Sequence, residues 1–337
     1  MDIHHSKLTE INYIKNMKPS MVYSPETEAL GEWQKRAEEK LKELLGLPYE
    51  KCDPLFSAEY EKEHEDFREI RFVFQSEIGE FVPCHLWIPK ISEYNKPPVM
   101  ICLQGHSTGM HISMGRARFE GDEETANSGD RNFAVQCIKK GLAAVTLEQR
   151  CFGERGGNPN PDCYTASMTA ILTGRTIIGG RVWDIMRLID IMEEHFSDTV
   201  DTSSVYCMGN SGGGTATFYA AALEKRIKAA MPSCAFATFH GSIGSMFHCA
   251  CNFVPGISKY FDMAEIAGLI APRPLVIVSG KEDGIFPINT AEHEFTRLKE
   301  LYYSNSESPS GCIHVKGDGG HRFYASPSWK AFLGLVK

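Results

Sequence analysis

The chain has 337 residues, 42% hydrophobic and 23% charged, with a formal net charge of −8 at pH 7. That size and apolar content support a large core without covalent staples, and the acidic balance offers no basic surface to exchange for phosphate counterions, so nucleic acid is not an expected partner. No apolar run reaches the roughly 18 residues of a membrane span, Met1-Asp2-Ile3-His4-His5 does not read as a leader, and 11 cysteines scattered through apolar stretches read as reduced thiols, so a cytoplasmic protein without a membrane partner is expected.

Residues 1–65 read as a mainly helical N-terminal arm. Ser24-Pro25 is a helix-start signal, and Leu30, Trp33, Ala37, Leu41, Leu44 and Leu45 recur at helical spacing until Gly46 and Pro48 stop them. Such an arm either packs on the main body or offers a face to another protein. From about 66 the pattern turns to strands. Alternation over 68–75 and 81–88 about Ile78-Gly79-Glu80 predicts a hairpin. Continuous apolar runs at 99–103, 142–147, 205–208, 229–231, 275–278 and 313–315 then have the character of strands buried on both faces of a parallel sheet. Helical patterns lie between them, at 133–140 (closed by Gly141), 182–193, 215–223 and about 288–302. A hairpin followed by repeated strand–helix units predicts an α/β fold over 66–337, with a mostly parallel sheet carrying helices on both faces.

Two segments match G-x-S-x-G after an apolar run: Gly105-His106-Ser107-Thr108-Gly109 and Gly209-Asn210-Ser211-Gly212-Gly213. Only the second is followed at once by a helical pattern; Ser107 leads into a long polar stretch. Strand, sharp turn and helix is the layout of a nucleophile elbow, in which flanking glycines avoid Cβ clashes and the helix start points free N–H groups at developing negative charge. Ser211 is therefore the candidate nucleophile.

A serine hydroxyl needs a base, and the base an orienting acid, found in elbow enzymes in the order Ser, Asp/Glu, His and at the carboxyl ends of strands. The loop after 275–278 carries Glu282 and Asp283, and the glycine-rich loop after 313–315 carries Asp318 and His321. Asp283 and His321 are the candidate acid and base. Glu282 is the rival acid, Asp318 a turn former, His314 a strand residue and His293 a helix-surface residue. The oxyanion donors are expected to be the backbone N–H groups of Gly212 and, from the loop Gln104-Gly105-His106-Ser107, of His106, whose side chain could also touch substrate.

Other clusters carry less. His240, His248, Cys249 and Cys251 lack a second ligand pair at finger spacing and sit among phenylalanines, so they read as a packed insertion beside the active site and no metal is expected. Arg150 and Arg155, with Glu148 and Glu154, read as a buried ion network or a clamp for a substrate carboxylate, and Asp184 with Arg187 as an i,i+3 pair. No dinucleotide fingerprint is present, so no cofactor is expected.

The segments LQGHS, EQRCFGERGG, RVWDIMRLIDIM, GNSGGG, HCACNFVPG, APRPLVIVSGKEDGIFPI and GGHRF occur in that order. Together they resemble the α/β-hydrolase branch of acetyl xylan esterases, cephalosporin-C deacetylase-like enzymes and dienelactone hydrolase relatives, over roughly 66–337. The resemblance implies Ser211 as nucleophile, Asp283 as acid, His321 as base, and His106 and Gly212 as oxyanion donors. It implies a carboxylester hydrolase acting on short acyl groups, acetyl on a sugar foremost. Dienelactone hydrolase itself has cysteine where Ser211 stands, and many esterases begin the oxyanion loop with His-Gly rather than Gln104-Gly105. A peptidase or amidase on the same fold, and a non-catalytic scaffold, are the alternatives; assembly into a homo-oligomer stays open.

Overall fold

A computed structural model describes residues 6–156 and 162–336. Nine strands form one sheet: β1 (Ser57–Glu63), β2 (Phe67–Glu77), β3 (Glu80–Pro89), β4 (Pro98–Leu103), β5 (Ala143–Leu147), β6 (Asp201–Asn210), β7 (Ile227–Ser233), β8 (Leu275–Gly280) and β9 (Cys312–Gly317). Their spatial order is β1-β2-β3-β5-β4-β6-β7-β8-β9. The first three run antiparallel, β3 is antiparallel to β5, and every neighbouring pair from β5 to β9 is parallel. The α-helices are α1 (Ser6–Lys15), α2 (Leu30–Leu45), α3 (Asp122–Asn127), α4 (Phe133–Ile138), α5 (Tyr164–Leu172), α6 (Ile177–His195), α7 (Gly212–Leu223), α8 (Met263–Gly268), α9 (Ile288–Arg297) and α10 (Ala325–Val336).

The continuous apolar runs have the burial they imply: β4, β5 and β8 are buried at every position. Helices cover both faces to achieve this. On one face Trp33, Leu41, Val182, Leu188 and Phe218 share a core with Val99 and Ile277. On the other, Phe133, Trp329 and Phe332 pack with Met100, Met208 and Val276. Each fully buried Leu- or Phe-sized side chain contributes about 1.5–3 kcal/mol of transfer free energy, so these two layers hold the sheet rigid.

The lead-in differs from the sequence reading in two places. Ser24-Pro25 closes a turn, with Thr27 N–H donating to Ser24 O at 3.1 Å, and α2 starts later, after Ala29. The sheet itself begins at β1, inside the stretch assigned to the arm. β1 is exposed at all seven positions, with the sequence SAEYEKE, and its charges mark the sheet edge against pairing with other chains. Helix α2 is committed to packing: Trp33, Ala37, Leu41 and Leu45 are buried, and Gln34 Nε2 donates to Gly268 O (2.9 Å) and Ala271 O (2.8 Å). Among the described residues no helix is long and apolar enough to cross a membrane.

Candidate active site

Ser211 sits between β6 and α7 with φ 55° and ψ −121°. Non-glycine residues rarely adopt this region, at a cost of about 1–3 kcal/mol. Main-chain crossings hold it there. A Cβ on Gly213 would lie 2.2 Å from Leu103 O, and one on Gly209 would lie 2.5 Å from the Gly213 carbonyl carbon. Ser211 N–H donates to Ser233 O at 2.8 Å, and Ser211 O accepts from Thr215 N–H at 2.8 Å. The turn is thus tied to β7 and to the first turn of α7.

Asp283 follows β8 and His321 follows β9, and the two side chains meet. His321 Nδ1 lies 2.8 Å from Asp283 Oδ2, while Asp283 Oδ1 accepts the Ile285 and Phe286 N–H groups at 2.8 and 3.0 Å. Burial pushes the Asp283 acid upward, but the imidazole and these two N–H donors outweigh it and hold the carboxyl below its ordinary range. His321 Nε2 is buried with no hydrogen-bond partner among the described residues. It and Ser211 line one cavity of about 890 Å³; no hydrogen bond joins the serine hydroxyl to the ring.

The rival groups lie elsewhere. Asp318, 90% exposed in its side chain, pairs with Lys281. His314 Nε2 is 2.9 Å from Ser279 Oγ, and burial lowers its pKa to about 4. His293 lies on the exposed side of α9.

The loop after β4 packs against the elbow. A Cβ on Gly105 would lie 2.9 Å from Asn210 O, and one on Gly212 would lie 2.7 Å from His106 Nδ1. The Gly212 N–H opens α7 with no carbonyl a turn behind it. Beneath the loop Glu148 is 1% exposed and accepts from Gln104 Nε2 at 2.7 Å and from Met110 N–H at 3.1 Å. Burial pushes the Glu148 acid up to about 7, against the pull of the Met110 and Glu154 N–H groups.

A folded-state pKa raised from 4.5 to about 7 means that the folded protein binds the extra proton, so stability is lost as pH rises through that window. Replacing Glu148 with Gln is expected to remove this loss, moving the wild-type-to-variant stability difference by on the order of 3 kcal/mol between pH 5 and pH 8. Urea unfolding at the two pH values measures it; parallel behaviour of the two proteins would contradict the assignment.

The arginines after β5 form a buried network, but not with the partners the sequence suggested. Arg150 holds Asp184 through Nε (3.0 Å) and Nη2 (2.7 Å), and Arg155 Nη1 reaches the same carboxylate at 2.7 Å. Asp184 does not pair with Arg187, which binds Asp190 one turn along α6. Glu154 pairs with Arg71. None of these groups lines the cavity.

One constellation escaped the sequence reading. His106, Cys163, Cys249 and Cys251 place a ring nitrogen and three sulfurs within 4.8 Å of one another at the cavity wall. The segment HCAC was visible, but Cys163 and the His106 ring are brought to it only by the fold. His248 turns away to Ser242 Oγ at 3.0 Å. Phe247, 94% exposed, Tyr164 and Met168 give the cavity mouth an apolar rim.

Known proteins share parts of this sequence and the whole of its fold. A sequence model described as acetyl xylan esterase matches residues 175–268, and one described as an abhydrolase family matches 6–166. Ser211 lies in the first span; Asp283 and His321 lie beyond both. YtaP of Bacillus subtilis, classed as a hydrolase, is 27% identical over 247 residues, covering 72% of this chain and 78% of the relative. A 4-O-methyl-glucuronoyl methylesterase of Phanerochaete carnosa is 28% identical over 169 residues, 41% of this chain and 40% of that protein. Among solved structures, a Bacteroides fragilis protein assigned as an acetyl xylan esterase superposes with a TM-score of 0.76 at 16% identity, covering 94% of this chain and 82% of that one. A glucuronoyl esterase from Solibacter usitatus gives 0.69 at 13% identity, covering 95% and 97%. At these identities the structural likeness speaks to the fold. With sequence models matching in both halves of the chain and a nine-stranded, mostly parallel sheet that superposes on these structures, the chain has the α/β-hydrolase fold and resembles acetyl xylan esterases.

Proposed function

We propose that this chain is a serine esterase that removes short acyl groups, acetyl foremost, from a sugar. Ser211 attacks the ester carbonyl, and His321 Nε2 takes its proton and returns it to the leaving alcohol. Asp283 holds the ring with its proton on Nδ1, and the N–H groups of Gly212 and His106 receive the oxyanion. Water then repeats the sequence on the acyl-enzyme. The carrying observation is the Asp283–His321 pair at 2.8 Å, with Nε2 of the ring left without a partner among the described residues, in a histidine that lines the same cavity as a strained serine at a helix start. Residues 66–337 would form the catalytic domain and the arm its buttress. Free cysteines suit a cytoplasmic enzyme handling short oligosaccharides rather than polymer.

Support for a sugar ester comes from the names of the relatives, and those names include methyl esters of glucuronate beside acetyl esters. Treatment with a fluorophosphonate should give one phosphonyl adduct, located by peptide mass spectrometry on Ser211. A folded chain that stays unlabelled would favour the scaffold reading. Matched acetyl esters and anilides separate esterase from amidase, and a panel of acetylated sugars against methyl uronates assigns the ester.

A further inference from the structure

We propose that His106, Cys163, Cys249 and Cys251 bind one zinc ion in the wall of the catalytic cavity. The donor set is Cys₃His, a composition of closed, structural zinc sites. His106 Nε2 lies 3.2 Å from Cys251 Sγ, the Cys251 and Cys249 sulfurs are 3.4 Å apart, and all four donor atoms fall within 4.8 Å of one another. Around a tetrahedral zinc with Zn–S about 2.3 Å, neighbouring donors stand roughly 3.5–3.8 Å apart. The side chains need only small rotations to close on an ion.

Charge gives an independent reason. Arg181 is 1% exposed and permanently cationic. It donates to Cys251 Sγ at 3.3 Å, Cys163 Sγ at 3.6 Å and Arg150 O at 2.9 Å, and its guanidinium lies 4.2 Å from the Phe152 ring centroid. No carboxylate among the described residues hydrogen-bonds it. A buried cation without a counter-charge is costly, so the negative charge has to come from sulfur. Zinc with three thiolates and a neutral imidazole carries one negative charge, which Arg181 cancels. Soft thiolate donors also select zinc over magnesium or calcium.

The ion would join three segments remote in sequence: the loop after β4, the start of α5 and the turn at 249–251. With Nε2 on the metal, the His106 ring proton resides on Nδ1, the atom facing Gly212. The site would then fix the backbone of the proposed oxyanion loop, while zinc binding itself does not depend on the esterase assignment.

The test uses the full chain, purified under reducing conditions, exposed to zinc chloride and dialysed. Elemental analysis should find about one zinc per chain. Cys163→Ser/Cys249→Ser should lower it to background. Cys151→Ser, whose sulfur packs in the same cluster outside the donor set, should keep it. Cobalt(II) in place of zinc should give thiolate-to-metal charge-transfer absorption in the near ultraviolet, a readout on the wild type alone should the double variant not fold. A folded wild type that takes up neither metal overturns the proposal. So does a chain in which Cys163, Cys249 and Cys251 all react with iodoacetamide in the presence of zinc, or in which two of them form a disulfide under reducing conditions.

Discussion

Ser211→Ala is expected to lower kcat on an activated acetate ester by about 10⁶-fold, with a residue of about 10³–10⁴ over the uncatalysed reaction left by the oxyanion donors and substrate binding. The fold should be unaffected, because the Ser211 hydroxyl makes no hydrogen bond among the described residues and the Cβ that alanine keeps is already accommodated. Ser211→Gly separates strain from chemistry. It should be equally inactive yet more stable than Ser211→Ala. Relief of φ 55°, ψ −121° returns about 1–3 kcal/mol, against about 0.5–1 kcal/mol for the added freedom of glycine in the unfolded chain. The net gain is on the order of 1 kcal/mol, measurable by urea unfolding. A glycine variant less stable than alanine would show that the turn is relaxed and that its conformation is not held by the elbow. Residual turnover near the wild-type rate would remove Ser211 from the chemistry altogether.

That elbow was legible in the sequence because its glycines answer to close main-chain approach, which no side chain can imitate: Gly213 faces Leu103 O and Gly209 faces Gly213 itself. The parallel strands were legible for a similar reason. Burial on both faces demands an unbroken apolar run, and β4, β5 and β8 have one. Asp283 and His321 could be singled out because topology places strand ends, and the loops that follow them, along one edge of the sheet. What stayed hidden lacks such a local signature. β1 has no apolar alternation, since an edge strand with both faces in water needs none. Asp184 was matched to Arg187 by helical spacing alone, whereas its partners come from the loop after β5. Helical periodicity identifies neighbours on one helix and is blind to a buried carboxylate aimed at another element. The His106–Cys163–Cys249–Cys251 cluster was hidden in the same way, because its members are assembled by tertiary packing across three segments.

Asp283→Asn should lower kcat by about 10⁴-fold while leaving the fold and KM close to wild type. The geometry dictates the direction. Oδ1 already accepts the Ile285 and Phe286 N–H groups at 2.8 and 3.0 Å, so the amide oxygen of asparagine takes that position and its NH₂ is turned toward His321 Nδ1. A donor facing Nδ1 forces the ring to accept there and to carry its proton on Nε2, the atom that must receive the serine proton. The variant is therefore held in the wrong tautomer by two backbone hydrogen bonds that the substitution does not disturb. Glu282→Gln supplies the control, with an expected loss under about tenfold, since the Asp283 carboxylate still orients the ring. The pH dependence of stability should distinguish the proteins as well. The Asp283 acid is held below its ordinary range, so its contribution is present above about pH 4 and is lost as pH falls through the folded-state value; the asparagine variant lacks that acid limb. Steady-state kinetics beside urea unfolding at acidic and neutral pH measures both effects. A loss in kcat below tenfold for Asp283→Asn, coupled with a large loss for Glu282→Gln, would transfer the orienting role to the neighbouring carboxylate.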